Sequence, residues 1–241
     1  MRHGKILKNR VKQFEHNFLN LFFPKFCLSC GLEGEIICDN CVSKIKQAEL
    51  CCPVCNKVNF TGNFCSKHQR GFYFEKLLFV SRFKSLNKKI VHSFKYEGVR
   101  ELSKFMADLM TQALSEKIKD KNEIILVPVP LFFVKRLSRG FNQSEILAQK
   151  ISQNLNIPTQ KLLLKTRATK SQTEFKKNER HQNIKDAFCL SELGKKETLK
   201  SKIIILVDDV YTTGATMQSC ARALKKAGAV SVWGLVLARG E

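Results

Sequence analysis

The chain has 241 residues, 44% of them hydrophobic, enough to fill a core in one or two domains. Its 42 Lys and Arg against 21 Asp and Glu give a formal charge of +21, a surface field that favours nucleic acid, phosphorylated ligands or an anionic membrane face. No run of about 18 apolar residues occurs, so no membrane-spanning helix is encoded, and the lack of GxxxxGK[ST] excludes a P-loop motor.

In chain order, Val11, Phe14, Phe18 and Leu21 recur at helical spacing, which predicts an amphipathic helix ending before Pro24 and docked on the chain's own body. Charges interrupt this stretch before a signal-peptide apolar region can form. Eight of the ten cysteines then fall between Cys27 and Cys65. Cys27, Cys30, Cys38 and Cys41 form two CxxC pairs, each able to grip one ion from a knuckle turn, so together they complete a closed tetrahedral zinc site. Cys52, Cys55, Cys65 and His68 make a second, Cys₃His set, with Cys51 as a competing ligand and interleaving of the two sets left open. Closed four-ligand sites leave no position for water, so these zincs are expected to be structural. Unpaired thiols in metal-knuckle spacing place the protein in the reducing cytoplasm. A boundary is expected near residue 70, with the helix and zinc module over 1–70 and a second domain over 71–241, because the front part is too small to fold on a core alone.

From residue 71 onward the pattern is that of an α/β domain. Strands are predicted at 75–84, 123–129, 161–165, 187–190, 203–207 and 230–238. Helices are predicted at 86–96, 99–118, 142–155 and 214–227, the last capped by Gly228, with loops at 130–141 and 166–185. Strands alternating with helices predict a mostly parallel central sheet, and the unbroken apolar runs at 124–127 and 203–207 fit strands covered on both faces. Cys189 and Cys220 read as buried small hydrophobes rather than nucleophiles.

The segment IIILVDDVYTTGAT, residues 203–216, carries the most chemistry. In open α/β sheets ligands bind beyond the carboxyl ends of strands, and a loop running there into a helix presents unpaired N–H groups and a positive dipole end. Thr212, Thr213 and Thr216 add hydroxyl donors, while Gly214 and Ala215 let the backbone close around a phosphate. Asp208 and Asp209 are placed to accept hydrogen bonds from two vicinal sugar hydroxyls. Phosphate donors at one end and diol acceptors at the other describe a ribose 5-phosphate site. Lys135, Arg136 and Arg139 follow another strand end and suit a pyrophosphate or second polyanion. The long basic loop over 166–188 contains Gln172, Arg180 and Asn183, placed to close over a bound phosphoribosyl group.

The aliphatic run followed by DDxxTTGxT resembles the 5-phosphoribosyl-1-pyrophosphate (PRPP) fingerprint of type I phosphoribosyltransferases. With VPVPLFFVKRLSRGFNQ, the QTxFxxxxRxxN pattern of the basic loop, SFKYEG at 93–98 and FPKFCLSCG at the front, nearly the whole chain resembles the ComF family. That resemblance implies a type I phosphoribosyltransferase fold preceded by a small Cys-rich zinc module, PRPP as ligand with Mg²⁺ bridging its pyrophosphate and ribose oxygens, and a cytoplasmic role in natural transformation. Single-stranded DNA is the expected macromolecular partner, bound on basic surface, and a competence helicase or recombination mediator a further one. The alternative is an active phosphoribosyltransferase acting on a nucleobase or amine. Thr212 stands where purine-specific members carry an Asp that handles the base's proton, which weighs against purine chemistry.

Overall fold

The computed structural model describes residues 24–45, 48–97, 99–118, 120–168, 187–196 and 199–240. The expected N-terminal helix and the basic loop with Gln172, Arg180 and Asn183 lie outside them. Two compact units divide at Lys46/Gln47, not near residue 70, so the second cysteine set belongs to the unit that carries the sheet.

The first unit, over 24–45, is built of turns and the short helix α1, Asp39–Val42. Phe26 and Glu33 form an antiparallel bridge around the first knuckle, and the Cys27 carbonyl accepts from Gly31 N–H at 2.9 Å.

The second unit opens with a knuckle and the short helix α2, Ser66–Gln69. Strand β1, Lys76–Arg82, follows, then helices α3, Ser85–Tyr96, and α4, Leu102–Ser115. Strand β2, Ile124–Pro128, leads to the helix α5, Phe133–Arg139, where a loop was expected, and to α6, Gln143–Leu155. A hairpin of β3, Leu163–Lys165, and β4, Phe188–Leu190, precedes α7, Glu192–Lys196. The chain ends with β5, Ile203–Tyr211, α8, Ala215–Lys226, and β6, Ser231–Arg239.

Strands β1, β6, β5 and β2 lie in that order, all parallel. Side chains alternate across a strand, and β5 shows it. Ile204 and Leu206 share one core with Met217, Cys220 and Leu224 of α8 and with Leu163 and Phe188 of the hairpin. Ile205 and Val207, equally buried, point the other way. That face is covered by α4 and α6, which pack on each other and on the strands. Their buried positions, among them Met106, Met110 and Leu114 on α4 and Leu147, Ile151 and Leu155 on α6, recur every four residues, one turn apart. Burying one such side chain stabilises by about 1.5–3 kcal/mol, which explains why α4 holds without a side-chain cap.

Both sheet edges are paired. Along β1, Leu77 N–H donates to Gly62 O at 2.9 Å, Asn63 bridges Lys76, and the Val80 carbonyl accepts from Ala48 N–H at 2.9 Å. Gly62 has φ +73°, and a Cβ there would run into the Leu77 carbonyl, so only glycine lets the knuckle segment lie this close. Along β2, Leu126 N–H donates to Pro158 O at 2.9 Å and its carbonyl accepts from Gln160 N–H at 2.9 Å.

Candidate functional site

Strand β5 is longer than the apolar run 203–207 suggests. It pairs with β6 as far as Tyr211 opposite Arg239, whereas β2 stops at Pro128 opposite Val207. The last residues of β5 therefore have a flank free of a strand neighbour, and a cavity of about 370 Å³ opens there, beyond the carboxyl end of the sheet. Asp208, Asp209, Thr212 and Thr216 line it from β5 and the turn after it, and Lys135 and Arg139 from α5.

The acids are fixed by three elements. Asp208 Oδ1 accepts the Ser144 hydroxyl at 2.9 Å and the Asp209 N–H at 2.9 Å. Ser144 sits in the first turn of α6. That turn is anchored by Asn142, whose side chain accepts from Ser144 N–H at 3.0 Å and donates to the Val129 carbonyl at 3.1 Å. Asp209 is 3% exposed and its Oδ2 lies 2.6 Å from Lys95 Nζ, itself 20% exposed near the end of α3. Burial and the neighbouring Asp209 push the Asp208 carboxyl up to about 7, against the pull of Lys95 and the Ser144 hydrogen bond. Burial alone would lower the Lys95 ammonium, but Asp209 raises it on balance, so Lys95 stays charged.

After Tyr211 the chain turns through Thr212 and Thr213. Gly214 caps α8 with φ +78°, and a Cβ there would collide with the Tyr211 hydroxyl. The N-terminal turn of α8 carries the positive end of its dipole and backbone donors without intrahelical acceptors. Thr212, Gly214 and Thr216 line a small recess of about 30 Å³ beside Asp208. Thr213 bonds inward, its hydroxyl 3.5 Å from Ala215 N–H, and Ala215 is buried under the turn.

On α5, Arg136 leaves the cavity and lies 3.6 Å from Glu145, which Lys161 also meets at 2.7 Å. Arg139 hydrogen-bonds Gln143 at 2.7 Å and stands over the Tyr96 ring at the cavity mouth. Lys165, from β3, is a further cavity cation, its ammonium lowered by burial and by Lys135. Lys95, Ser144 and Lys165 escaped sequence reasoning; only the SFKYEG stretch, singled out without a role, contains the first of them. Among the described residues no carboxylate other than Asp208 and Asp209 lines the cavity.

The cysteines gather as two separate sets, without interleaving. In each, one ligand atom per residue lies within 4.8 Å of the others: Cys27, Cys30, Cys38 and Cys41, and Cys52, Cys55, Cys65 and His68. A tetrahedral zinc with Zn–S of about 2.3 Å places sulfurs about 3.8 Å apart. Cys30 and Cys38 are 3.6 Å apart and Cys55 and Cys65 3.8 Å, so both donor sets fit such an ion. In the second set His68 offers Nδ1, 3.7 Å from Cys52 Sγ and 3.0 Å from Cys65 Sγ. Cys51 is not a ligand: its buried sulfur accepts from Arg239 Nη1 at 2.8 Å, while Nη2 of the same side chain donates to the Pro53 carbonyl at 2.8 Å. Cys220 is buried, and burial raises its thiol well above the usual range. Cys189 departs from expectation; the short β4 turns it outward, and it is exposed.

The phosphoribosyl transferase domain family matches residues 104–240. Three similar proteins span most of their own length and of this chain. Competence protein F of Haemophilus influenzae is 26% identical over 230 residues, 90% of this chain and 99% of that protein. Competence protein ComFC of Bacillus subtilis is 29% identical over 214 residues, 85% of each chain. DNA utilization protein YhgH of Salmonella typhi is 28% identical over 225 residues, 88% of this chain and 97% of that protein.

Proposed function

Because the chain belongs to the phosphoribosyl transferase domain family, we propose that it is a cytoplasmic ComF-type competence protein whose sheet-end cavity binds PRPP and whose basic surface binds single-stranded DNA. The observation that carries the reading is the arrangement in one cavity of Asp208 and Asp209, the Thr212–Thr216 turn, and the cations Lys135 and Arg139. A ribose diol faces the acids, the 5-phosphate meets the threonine turn and the α8 dipole, and the pyrophosphate meets the α5 cations. The names of the similar proteins supply the competence and DNA-utilisation half of the reading.

Binding is favoured over turnover. A phosphoribosyl transfer that needs proton removal from its acceptor requires a base beside the anomeric carbon. Thr212 occupies that position, and among the described residues the only carboxylates lining the cavity are Asp208 and Asp209. The active-transferase reading rests on the phosphoribosyl transferase domain match alone. Zinc fits both cysteine sets and would be held by the four residues of each, where its chemistry is structural. The acid pair does not fit as a magnesium site, since Asp209 is already engaged by Lys95.

For DNA, α5 presents Phe133, Val134 and Leu137 to solvent between Lys135, Arg136 and Arg139, the mixture that stacks bases and tracks a phosphate backbone. Phe141 is withdrawn against Phe94 and Arg100 and leaves the stacking role to Phe133. A competence helicase or recombination mediator is the protein partner this role would bring. Calorimetry of PRPP on the wild type and on the Asp208→Asn/Asp209→Asn protein, with and without single-stranded DNA, tests the reading. Equal affinity in the two proteins would overturn the placement of the site, and salt-insensitive DNA binding would overturn the basic-surface contact.

A further inference from the structure

We infer that Lys95 is the resident counter-cation of the acid pair, so that a phosphoribosyl ligand meets Asp208 and Asp209 without a divalent ion on either carboxylate. The inference rests on the donor-site reading above and names how that site manages its charge.

Two adjacent acids at the floor of a half-closed cavity repel each other and any phosphorylated ligand. A dication bound between them is one remedy; a fixed ammonium is another. Here the ammonium arrives from α3. The helix buries Ile90, Val91 and Phe94 against the body, and this same face sets the next residue, Lys95, at the edge of the cavity. Its Nζ approaches the buried oxygen of Asp209 to 2.6 Å. A dication on that oxygen would have to displace the ammonium and leave a buried positive charge without its partner, which is costly. Asp208 is held differently: one oxygen accepts Ser144 and the Asp209 N–H, which turns the carboxyl toward the cavity as a diol acceptor. The two acids thus divide the work. Asp209 anchors the lysine and Asp208 addresses the sugar. Lys95 acts through Asp209 and is a positioning residue.

Ribose 5-phosphate is the probe, because it carries the diol and phosphate but lacks the pyrophosphate that itself chelates magnesium. Binding is measured by calorimetry in buffer made from metal-free reagents, with and without MgCl₂, on wild type and Lys95→Met. Zinc content and thermal melting are followed alongside. Wild-type affinity is expected to change by less than about twofold on adding MgCl₂, since Asp209 is paired with Lys95 and the bound diol takes Asp208. Lys95→Met is expected to lose about tenfold or more without magnesium and to regain affinity with it, because a dication now finds Asp209 unoccupied. A purely structural lysine would lower affinity without creating that magnesium dependence. Wild-type binding that requires MgCl₂ overturns the role of Lys95, and this measurement stands even should Lys95→Met fail to fold. No binding of ribose 5-phosphate by the wild type under either condition overturns the donor-site reading itself, and the role of Lys95 with it.

Discussion

Cys27, Cys30, Cys38 and Cys41 gather within a unit of turns over 24–45, whereas Cys52, Cys55, Cys65 and His68 gather inside the unit that carries the sheet. The spacing of thiols in the two sets is alike; their surroundings are not. Around the second set, Cys51, Cys52 and Phe64 join the same core as Tyr211, Ala215 and Met217, and Ala48, Gly62 and Asn63 pair along β1. A knuckle announces itself through local spacing, but what it supports depends on contacts remote in sequence. The first set organises its own turns. The second shares its packing with the residues beneath the Thr212–Thr216 turn.

That contrast can be broken in four ways. The largest effect is expected from a lost ligand. Cys52→Ser should lower the stability of the 47–241 unit by about 3 kcal/mol, roughly 6–12 °C in its melting midpoint. Cys27→Ser should leave that midpoint within about 2 °C, since its ligand set belongs to the other compact unit. Hydrogen exchange resolved by segment would check both, and equal losses in β5 and β6 would erase the distinction. Next, Arg239→Ala removes the buried guanidinium that holds Cys51 and Pro53 to the end of β6. It should cost about 2 kcal/mol in denaturant unfolding and weaken ribose 5-phosphate binding, because β6 pairs Tyr211 beside the turn.

The third probe is pH. Asp208 holds its proton more tightly when folded, up to about 7 against an ordinary value of 3.8. Between those values the native state binds more protons than the unfolded one, so this group's contribution to stability falls as pH rises through the window and is at its least favourable above pH 7. Asp208→Asn should therefore unfold later than wild type at pH 8, by about 1 kcal/mol once partial solvent screening is allowed for, with the gap closing toward pH 4. The same gap should persist in a Cys27→Ser background and shrink in a Cys52→Ser background. The smallest effect is Cys51→Ala, about 1 kcal/mol or less, since Arg239 keeps its bond to Pro53.

Much of this was legible in the sequence. Apolar runs at 124–127 and 203–207 become buried parallel strands because nothing but two covered faces suits them. The thiol spacings give both metal sets, and DDVYTTGAT gives the acids and the turn. What stayed hidden depends on distant pairing. Lys95 reads as one more cation on a basic helix until the fold brings it to Asp209, 114 positions away. Residues 133–139 carry exposed apolar side chains with no buried face, so no helical period marks α5. Cys51 looks like a spare ligand because Arg239, its partner, is 188 residues downstream. Cys189 was misread since three residues of strand are too few to reveal which face is inward.

The seam along β1 has a consequence for the protein's behaviour under metal starvation. Gly62, Asn63 and Ala48 occupy backbone positions of an edge strand whose sequence, KLLFVSR, is apolar over four consecutive residues. Such a strand with its N–H and C=O groups uncovered is a template for the strand of another molecule. If loss of ligands opens the second knuckle, that template is uncovered, and the first symptom would be concentration-dependent self-association through β1 rather than a simple loss of ligand affinity. In that sense the second cysteine set, once metal-loaded, would guard the protein's solubility as much as its shape.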